Sequence, residues 1–492
     1  MYISALMEKS NVKFGTSGAR GLVSSMTDEV CFLYTVGYLQ YLSKIGMFST
    51  GSNVAFAGDL RPSTPRILKA CLAAILYMKG QPVFCGFVPT PALCAYAFHN
   101  HIPSFMVTGS HIPDDRNGIK FNTISGEFLK NNEQEMLKED VQVPQHLFDL
   151  KGALKAPPSL PNITNIIPFY IARYQKFFGS NALKGLNLGV YQHSAVGRDI
   201  LIQIIEALGG LATALGRSDT FIPVDTEAVR PVDIQLAHQW ASENHFDAIL
   251  TTDGDSDRPL LADHTGEWLR GDVLGIITAQ FLKAQAVSTP INSNTALEKA
   301  TFAHTINRTK IGSPFVIEAM MHSSHNNILP SVGYEANGGF LLGSDLKNTK
   351  GILPALPTRD AVLPLLCALV SAKNKNMTLR HLLKTIPPRF TASDRLQDIP
   401  TKTTLRYLDT IRANTQDFSR YYDSDDITHI DETDGLRFTF ENDDIIHLRP
   451  SGNAPELRIY TESSPQEAAQ SLLSKTKNII KSALKNTPQN AP

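Results

Sequence analysis

A unit of strand, polar loop, helix, glycine turn and strand occurs more than once in this chain, and that repetition limits the fold more than any other feature. In NVAFAGDLRPSTPRILKACLAAILYMKGQPVFCG, Asn53 to Gly86, an apolar run precedes a polar loop, and then Ile67, Cys71, Ala74, Ile75 and Met78 fall on one helical face. In LNLGVYQHSAVGRDILIQIIEALGGLATALG, Leu201, Ile204, Ile205 and Leu208 repeat that face, and Gly209 and Gly210 end the helix. A third set of strand-like segments around a helix-like one runs through TPINSNTALEKA, TKIGSPFVIEAMM and ILPSVGYEANGG. The spacing predicts duplicated α/β domains. A chain of 492 residues is too long for one core and has room for several such units.

Two proline-rich stretches break the periodicity: KAPPSLPN (Lys155 to Asn162) and KTIPPRFTASDR (Lys384 to Arg395). Beyond the second, GLRFTFENDDIIHLRP and ELRIYTES read as strands, and an amphipathic helix runs from Pro465 to about Leu484, giving a smaller α+β unit. The expected divisions are 1–154, 155–265 and 266–385 for the α/β domains and 386–492 for the α+β domain. Near-balanced charge, with a net of −1, argues against a general nucleic-acid binder or anionic-membrane binder. No apolar stretch approaches the roughly 18 residues of a membrane span, and no basic flank precedes an apolar core at the start. The expected location is cytoplasmic. The five cysteines form no C-x-x-C pair and read as buried, reduced thiols.

Four loops carry residues suited to chemistry. In FDAILTTDGDSDRPLL, Asp253, Asp255 and Asp257 follow an apolar strand-like run. Carboxylates this close repel one another unless a hard cation such as Mg²⁺ lies among them. An EF-hand does not fit, because Arg258 stands where its turn glycine belongs and His264 where its bidentate Glu belongs. In MVTGSHIPDDRNGIKF, Ser110 also follows a strand-like run, and Thr108 and Ile112 stand where a hydrolase elbow would have glycines. Phosphorylated, Ser110 would offer acceptor oxygens to a cation held by the aspartates, with His111 and Lys120 as proton carriers or charge partners. In LRPSGNAPELR, Arg449, Ser451, Gly452 and Asn453 offer a guanidinium fork, a hydroxyl, open backbone and an amide that suit a phosphate. In GYEANGGF, Glu335 and Asn337 suit sugar hydroxyls, and in GTSGARG, Arg20 lies among glycines in a phosphate-contacting pattern. Each loop on its own also fits a plain polar turn.

Taken in this order, from about Val12 to Glu462, the loops resemble those of the α-D-phosphohexomutase family. TGSHIPDDRNGIKF is similar to the family's phosphoserine loop, which implies that Ser110 is the phosphorylated residue and an extra metal ligand, and that Lys120 is a general acid/base. DGDSDR is similar to its Mg²⁺ loop, which implies Asp253, Asp255 and Asp257 as ligands and Arg258 beside the transferring phosphate. GYEANGGF and RPSGNAP resemble the loops for the sugar and for the non-reacting phosphate. TKIGSPFV resembles the sugar-selecting loop, with Gly312 and Ser313 where other members have a histidine. The sugar loop departs from Gly-Glu-x-Ser-Gly-His at Tyr334, Asn337 and Gly339, and Asn453 and Ala454 replace a Thr-Glu pair.

The resemblance implies three topologically similar mixed α/β domains plus a smaller C-terminal domain around a central cleft. It further implies an enzyme that interconverts hexose 1-phosphate and hexose 6-phosphate through a phosphoserine and a hexose 1,6-bisphosphate, with Mg²⁺ as cofactor and the bisphosphate as activator. Mannose phosphate is the favoured substrate, with glucose phosphate and then glucosamine phosphate as alternatives. A phosphosugar phosphatase and a non-catalytic phosphosugar-binding protein are the rival classes. The expected partner is a small phosphosugar, with no nucleic acid or membrane, and the protein is expected to be a monomer or homodimer.

Overall fold

In a computed structural model, residues 1–422, 426–451 and 455–486 are described, Lys485 and Asn486 by backbone only. The chain forms two compact units. The first comprises Met1–Ser288, Phe302–Thr305 and Gly312–Leu383; the second comprises Thr289–Thr301, Ile306–Ile311 and the described residues from Lys384 onward.

The first unit is a mixed α/β structure built on several sheets. Its first sheet contains β1 (Lys13–Phe14), β2 (Ala19–Leu22), β3 (Asn53–Gly58), β4 (Gln81–Phe87), β5 (Ser104–Val107) and β6 (Arg116–Asn122), in the order β1-β2-β6-β5-β3-β4. Strand β3 runs parallel to β4 and β5, whereas β5 and β6 form an antiparallel hairpin. The second sheet contains β7 (Asn187–His193), β8 (Leu211–Arg217), β9 (Ala248–Thr252) and β10 (Pro259–Asp263), in the order β10-β9-β7-β8. It repeats the pattern: β7 is parallel to β8 and β9, and β9 and β10 form an antiparallel hairpin. In the third sheet, Ala286–Ser288 runs parallel to Ser331–Gly333, and Ser331–Tyr334 turns back antiparallel into Phe340–Leu342, which pairs with Leu356–Asp360.

Equivalent hairpins in the three sheets therefore carry the three loops singled out in this part of the sequence. Ser110 lies between β5 and β6, the aspartate run between β9 and β10, and Glu335–Gly339 between Tyr334 and Phe340. The strands leading into them are buried along their whole length, because helices cover the sheet and only apolar or hydroxyl side chains fit there. The expected helical faces are present: helix Thr64–Tyr77 buries Ile67, Cys71, Ala74 and Ile75, and helix Arg198–Ala207 buries Leu201, Ile204 and Ile205. Gly209, at φ +80°, supplies the left-handed residue that ends the second helix. Met78 lies just beyond its helix and is only half-buried. The five cysteines are free and buried. Among the described residues, no helix is long and apolar enough to cross a membrane.

The second unit holds an antiparallel sheet in the order Phe390–Leu396, Leu457–Ser463, Ile445–Pro450, Leu436–Phe440, Ile427–Asp431. Helix Gln466–Asn486 packs on it through Leu473 and Ile480. Sequence patterning marks two strand segments and this helix; the first segment folds as two strands, Leu436–Phe440 and Ile445–Pro450, and the two edge strands, whose polar residues show no clean alternation, escape it. Thr289–Thr301 joins this unit through buried polar contacts. Asn294 donates to the Arg389 carbonyl at 2.7 Å, Thr295 donates through its hydroxyl to Glu462, and Arg389 pairs with Glu462 at 2.7 Å.

His447 is buried in this sheet, donates from Nε2 to the Asp434 carbonyl at 2.6 Å and stacks on Tyr460. Burial lowers its pKa to about 4, although the Asp434 carbonyl acts in the opposite direction. The imidazole is therefore neutral in the folded protein at pH 7. Between the ordinary histidine value near 6.5 and about 4, the unfolded chain binds the extra proton, so this residue's contribution to stability is full above the window and lost as pH falls through it. The effect is on the order of 3 kcal/mol. Thermal unfolding of His447→Gln should show a shallower loss of stability from pH 6.5 to 4 than wild type; an unchanged slope would contradict the assignment.

Candidate active site

The hairpin turns of the first unit bring most of the expected residues into one buried cluster. Ser110 is fully buried at φ +56°, a left-handed conformation unusual for a residue with a side chain. Its hydroxyl donates to Asp253 Oδ2 at 2.5 Å, and its backbone N–H donates to the Thr108 hydroxyl at 2.8 Å. The two turns meet closely: a Cβ on Gly254 would stand 2.6 Å from the Ser110 carbonyl oxygen. Only glycine allows that approach.

Asp253 closes its own turn by accepting from the N–H groups of Asp257 and Arg258 at 3.1 and 3.2 Å. Asp255 accepts from the Thr90 hydroxyl and from Lys120, each at 2.5 Å. Asp257 accepts from Lys120 at 2.6 Å and from Arg359 at 3.1 Å. Burial raises the Lys120, Arg258 and Arg359 problem to one of charge balance. It works against the Lys120 ammonium, but Asp255 and Asp257 outweigh it, and the pKa rises. It also works against the Asp257 carboxylate, yet Arg359, Lys120 and Arg258 hold that pKa well below the ordinary range. Asp253 has the opposite balance, with burial and then repulsion from Asp255 and Asp257 raising its pKa well above the ordinary value.

This donor set fits a hard divalent cation. One oxygen from each of the three aspartates lies within 4.8 Å of the others, and Asp255 Oδ1 and Asp257 Oδ1 are buried without a hydrogen-bond partner among the described residues. A cation there would meet oxygen ligands only and would relieve the repulsion that acts on Asp253.

His111 lies beside this centre as an acceptor. Arg258 Nη1 donates to its Nδ1 at 2.9 Å, and the Ser110 hydroxyl is 3.4 Å from the same nitrogen. Burial, then Arg258 and Arg20, push its pKa well below the ordinary value, so the ring is neutral. Arg20, on β2, has its pKa lowered to about 10 by burial and by Arg258 and Arg359. Three guanidinium groups close enough to perturb one another make a field suited to an anionic phosphate.

Glu335 accepts from Arg359 Nη1 at 3.1 Å, which joins the third hairpin to the cluster. Asn337 turns its carboxamide oxygen inward to accept from the Gly339 N–H at 2.9 Å. A Cβ on Gly339 would stand 2.5 Å from Arg359 Cδ, so the departure from the family histidine coincides with space filled by the Arg359 stem. Gly312 has φ +134° and packs against Thr16, while Ser313, fully buried, donates to Glu127 at 3.3 Å. In the second unit, Arg449 pairs with Asp434 at 2.8 Å and the Ser451 N–H donates to the Glu456 carbonyl at 2.9 Å. Gly452 and Asn453 lie outside the described residues.

Sequence reasoning missed Arg359, Thr90 and Glu127. Glu127 accepts from Thr358 at 2.7 Å as well as from Ser313. The Arg-Asp pair that ends the strand LPTRD was a usable signal, because charge at the end of a buried strand needs a partner. Thr90 and Glu127 gave none, since single polar residues at helix starts and in loops are common.

Comparison with known proteins shows the family. Residues 11–145 match the family model described as phosphoglucomutase/phosphomannomutase, alpha/beta/alpha domain I. Residues 270–390 match alpha/beta/alpha domain III, and 400–478 match the C-terminal domain. The phosphomannomutase of Salmonella muenchen is 43% identical over 97% of this chain and 98% of its own length. That likeness decides the matter. The chain belongs to the α-D-phosphohexomutase family. A phosphomannomutase of Sinorhizobium fredii is 40% identical over 96% of this chain and 99% of its own. Among solved structures, a phosphoglucomutase/phosphomannomutase family protein of Burkholderia thailandensis has a TM-score of 0.73 at 17% identity, covering 97% of this chain and 98% of its own. The Paramecium phosphoglucomutase parafusin, in an open form, has a TM-score of 0.68 at 16% identity, covering 96% and 94%. The two structures share the fold. As a phosphohexomutase, the protein is an intramolecular phosphotransferase.

Relief of repulsion among the three aspartates should make Mg²⁺ stabilising. Millimolar Mg²⁺ is expected to raise the unfolding temperature of the wild type, and Asp255→Asn should lose most of that rise. Equal shifts in the two proteins would remove Asp255 from the metal centre.

Proposed function

We propose that this phosphohexomutase interconverts mannose 1-phosphate and mannose 6-phosphate, with Ser110 as the phosphoryl carrier. The observation that carries the reading is the buried Ser110 hydroxyl bonded directly to the aspartate turn. A phosphoryl group on that oxygen would lie beside the carboxylates that suit a cation and near Arg258, which donates to the neighbouring His111. The names and near-full-length identities of the Salmonella and Sinorhizobium relatives support mannose as the sugar.

In the first half reaction, the bond between phosphorus and Ser110 Oγ breaks as a bond forms to a free hydroxyl of the hexose phosphate. The hydroxyl proton enters the site and Ser110 Oγ regains one. Under this reading Lys120, which Asp255 and Asp257 keep protonated, gives a proton to Ser110 Oγ and takes up the one that the sugar hydroxyl releases. Bound at Asp253, Asp255 and Asp257, Mg²⁺ would supply charge neutralisation for the transferring phosphoryl group. The hexose 1,6-bisphosphate then presents its other phosphate to Ser110, and the reverse step leaves the isomer and a rephosphorylated serine. The same bisphosphate, supplied in trace amounts, primes an unphosphorylated enzyme.

Arg20 and Arg258 hold the transferring phosphate under this reading. Glu335 and Asn337 hold sugar hydroxyls, Gly312 and Ser313 shape the sugar-selecting loop, and Arg449, Ser451, Gly452 and Asn453 grip the other phosphate. Three α/β domains, 1–154, 155–265 and 266–385, and the C-terminal domain 386–492 divide this labour. Burial of Ser110 favours transfer to a sugar over transfer to water, because hydrolysis needs a water molecule in line with the phosphorus that this oxygen carries.

Phosphorus NMR with Mg²⁺ and a trace of hexose 1,6-bisphosphate tests both parts. Mannose 1-phosphate should convert faster than glucose 1-phosphate, and Ser110→Ala should lower kcat by more than about 10³-fold. Faster conversion of the glucose compound would overturn the substrate, and a fully active Ser110→Ala would overturn the carrier.

A further inference from the structure

We infer that Arg61 is a positioning residue that sets the reactive shape of the Ser110 turn, an inference that rests on the reading of Ser110 as phosphoryl carrier. Arg61 follows β3 in the stretch GDLRPS, which sequence patterning marks only as the polar loop of a repeated unit. Its side chain is fully buried. Nη1 donates to the carbonyls of Pro113 and Arg116 at 2.7 and 3.0 Å, and Nη2 to those of Ser110 and Ile112 at 2.7 and 2.6 Å. Nε donates to Asp59 Oδ2 at 3.1 Å. These bonds use all of the guanidinium's N–H donors. Arg61 therefore has no donor left for a substrate, and its effect on the reaction passes through the backbone of the turn.

Asp59 holds the other side of the same network. Its Oδ1 accepts from the Arg61 N–H and the Thr64 hydroxyl, and its Oδ2 accepts from the Thr108 hydroxyl at 2.7 Å. Thr108 in turn accepts from the Ser110 N–H at 2.8 Å. Both backbone polar groups of Ser110 are thus fixed by one buried ion pair, the carbonyl by Arg61 directly and the N–H by Asp59 through Thr108. That accounts for a serine held at φ +56°, a conformation that persists only when its surroundings impose it.

The network also reaches the aspartate turn. The Arg61 guanidinium lies 4.1 Å from the centre of the Phe221 ring, and that ring would stand 3.2 Å from a Cβ on Gly254. There is no slack on the serine side either, since a Cβ on Gly109 would stand 2.5 Å from Arg61 Cζ. A planar fork can hold several carbonyls at once; an ammonium on a flexible stem cannot reproduce that geometry.

The test is Arg61→Lys, assayed beside wild type and Ser110→Ala, with rates normalised to folded protein. Displacing Ser110 by about 1 Å should lower kcat about 100-fold. KM for the hexose 1-phosphate should change less than about threefold, because Arg61 does not touch the sugar. Intact mass should show correspondingly slow phosphate uptake by Ser110 from hexose 1,6-bisphosphate. A merely structural role predicts activity that tracks the folded fraction, and that result overturns the inference. If Ser110→Ala is inactive while Arg61→Lys matches wild type, the inference alone falls; if Ser110→Ala remains active, the carrier reading falls first. Should Arg61→Lys fail to fold, Asp59→Asn takes its place, and a folded Asp59→Asn with wild-type kcat overturns the inference.

Discussion

The mutual repulsion of Asp253, Asp255 and Asp257 is the constraint on which the rest of the first unit depends. Buried carboxylates on alternate residues of one turn cannot all stay ionised without imported positive charge. The turn itself supplies two N–H groups to Asp253 and the side chain of Arg258. The remaining partners come from other parts of the unit: Lys120 from β6, Thr90 from the start of helix Thr90–His99, and Arg359 from strand Leu356–Asp360. One electrostatic requirement thus ties the hairpin of the second sheet to the first and third. The compensation is uneven. Asp257 has Lys120 and Arg359, whereas Asp253 has a serine hydroxyl, and that imbalance leaves a place for further positive charge beside Ser110.

Repetition of a single topology explains why these groups can meet. In each sheet a buried parallel strand turns back as an antiparallel hairpin, so the turn emerges at the same end of the repeat. Three copies of that turn carry different chemistry: a hydroxyl in the first, carboxylates in the second, and a carboxylate with a tight glycine pair in the third. Ligands in open α/β sheets collect at the ends of such strands. Repetition supplies the positions, and the different residues of each turn supply the different chemistry.

That arrangement also explains what could be read from the sequence. Turn chemistry is local, so Ser110, the Asp triplet and Glu335 stand out as contiguous motifs. Helical faces such as Ile67, Cys71, Ala74 and Ile75 are legible for the same reason, because the period repeats within one element. Arg359, Thr90 and Glu127 act through partners more than 100 residues away, as Arg359 with Asp257 and Thr90 with Asp255 make plain, and no local pattern encodes that pairing. Arg61 was hidden differently. It lies in a recognised loop, but its importance comes from four carbonyl groups, which the amino-acid letters do not record. Departures from the family pattern were visible without their surroundings, and at Gly339 the stem of Arg359 fills the space a side chain would need.

The same field that gathers these residues separates their proton chemistry. Lys120 faces two carboxylates and keeps its proton against the penalty of burial. His111, a few residues away in the sequence, faces Arg258 and Arg20, and burial and those cations keep it neutral. Histidine would ordinarily be the first choice for proton transfer near pH 7. Here its Nδ1 is committed as an acceptor from Arg258, which fixes the arginine beside Ser110 and leaves the imidazole a poor base. Under the proposed mechanism, Lys120 exchanges protons while His111 orients a phosphate-binding guanidinium. Residue type alone leaves both as proton carriers or charge partners, and the resemblance singles out Lys120; the charges that surround each one favour the same division.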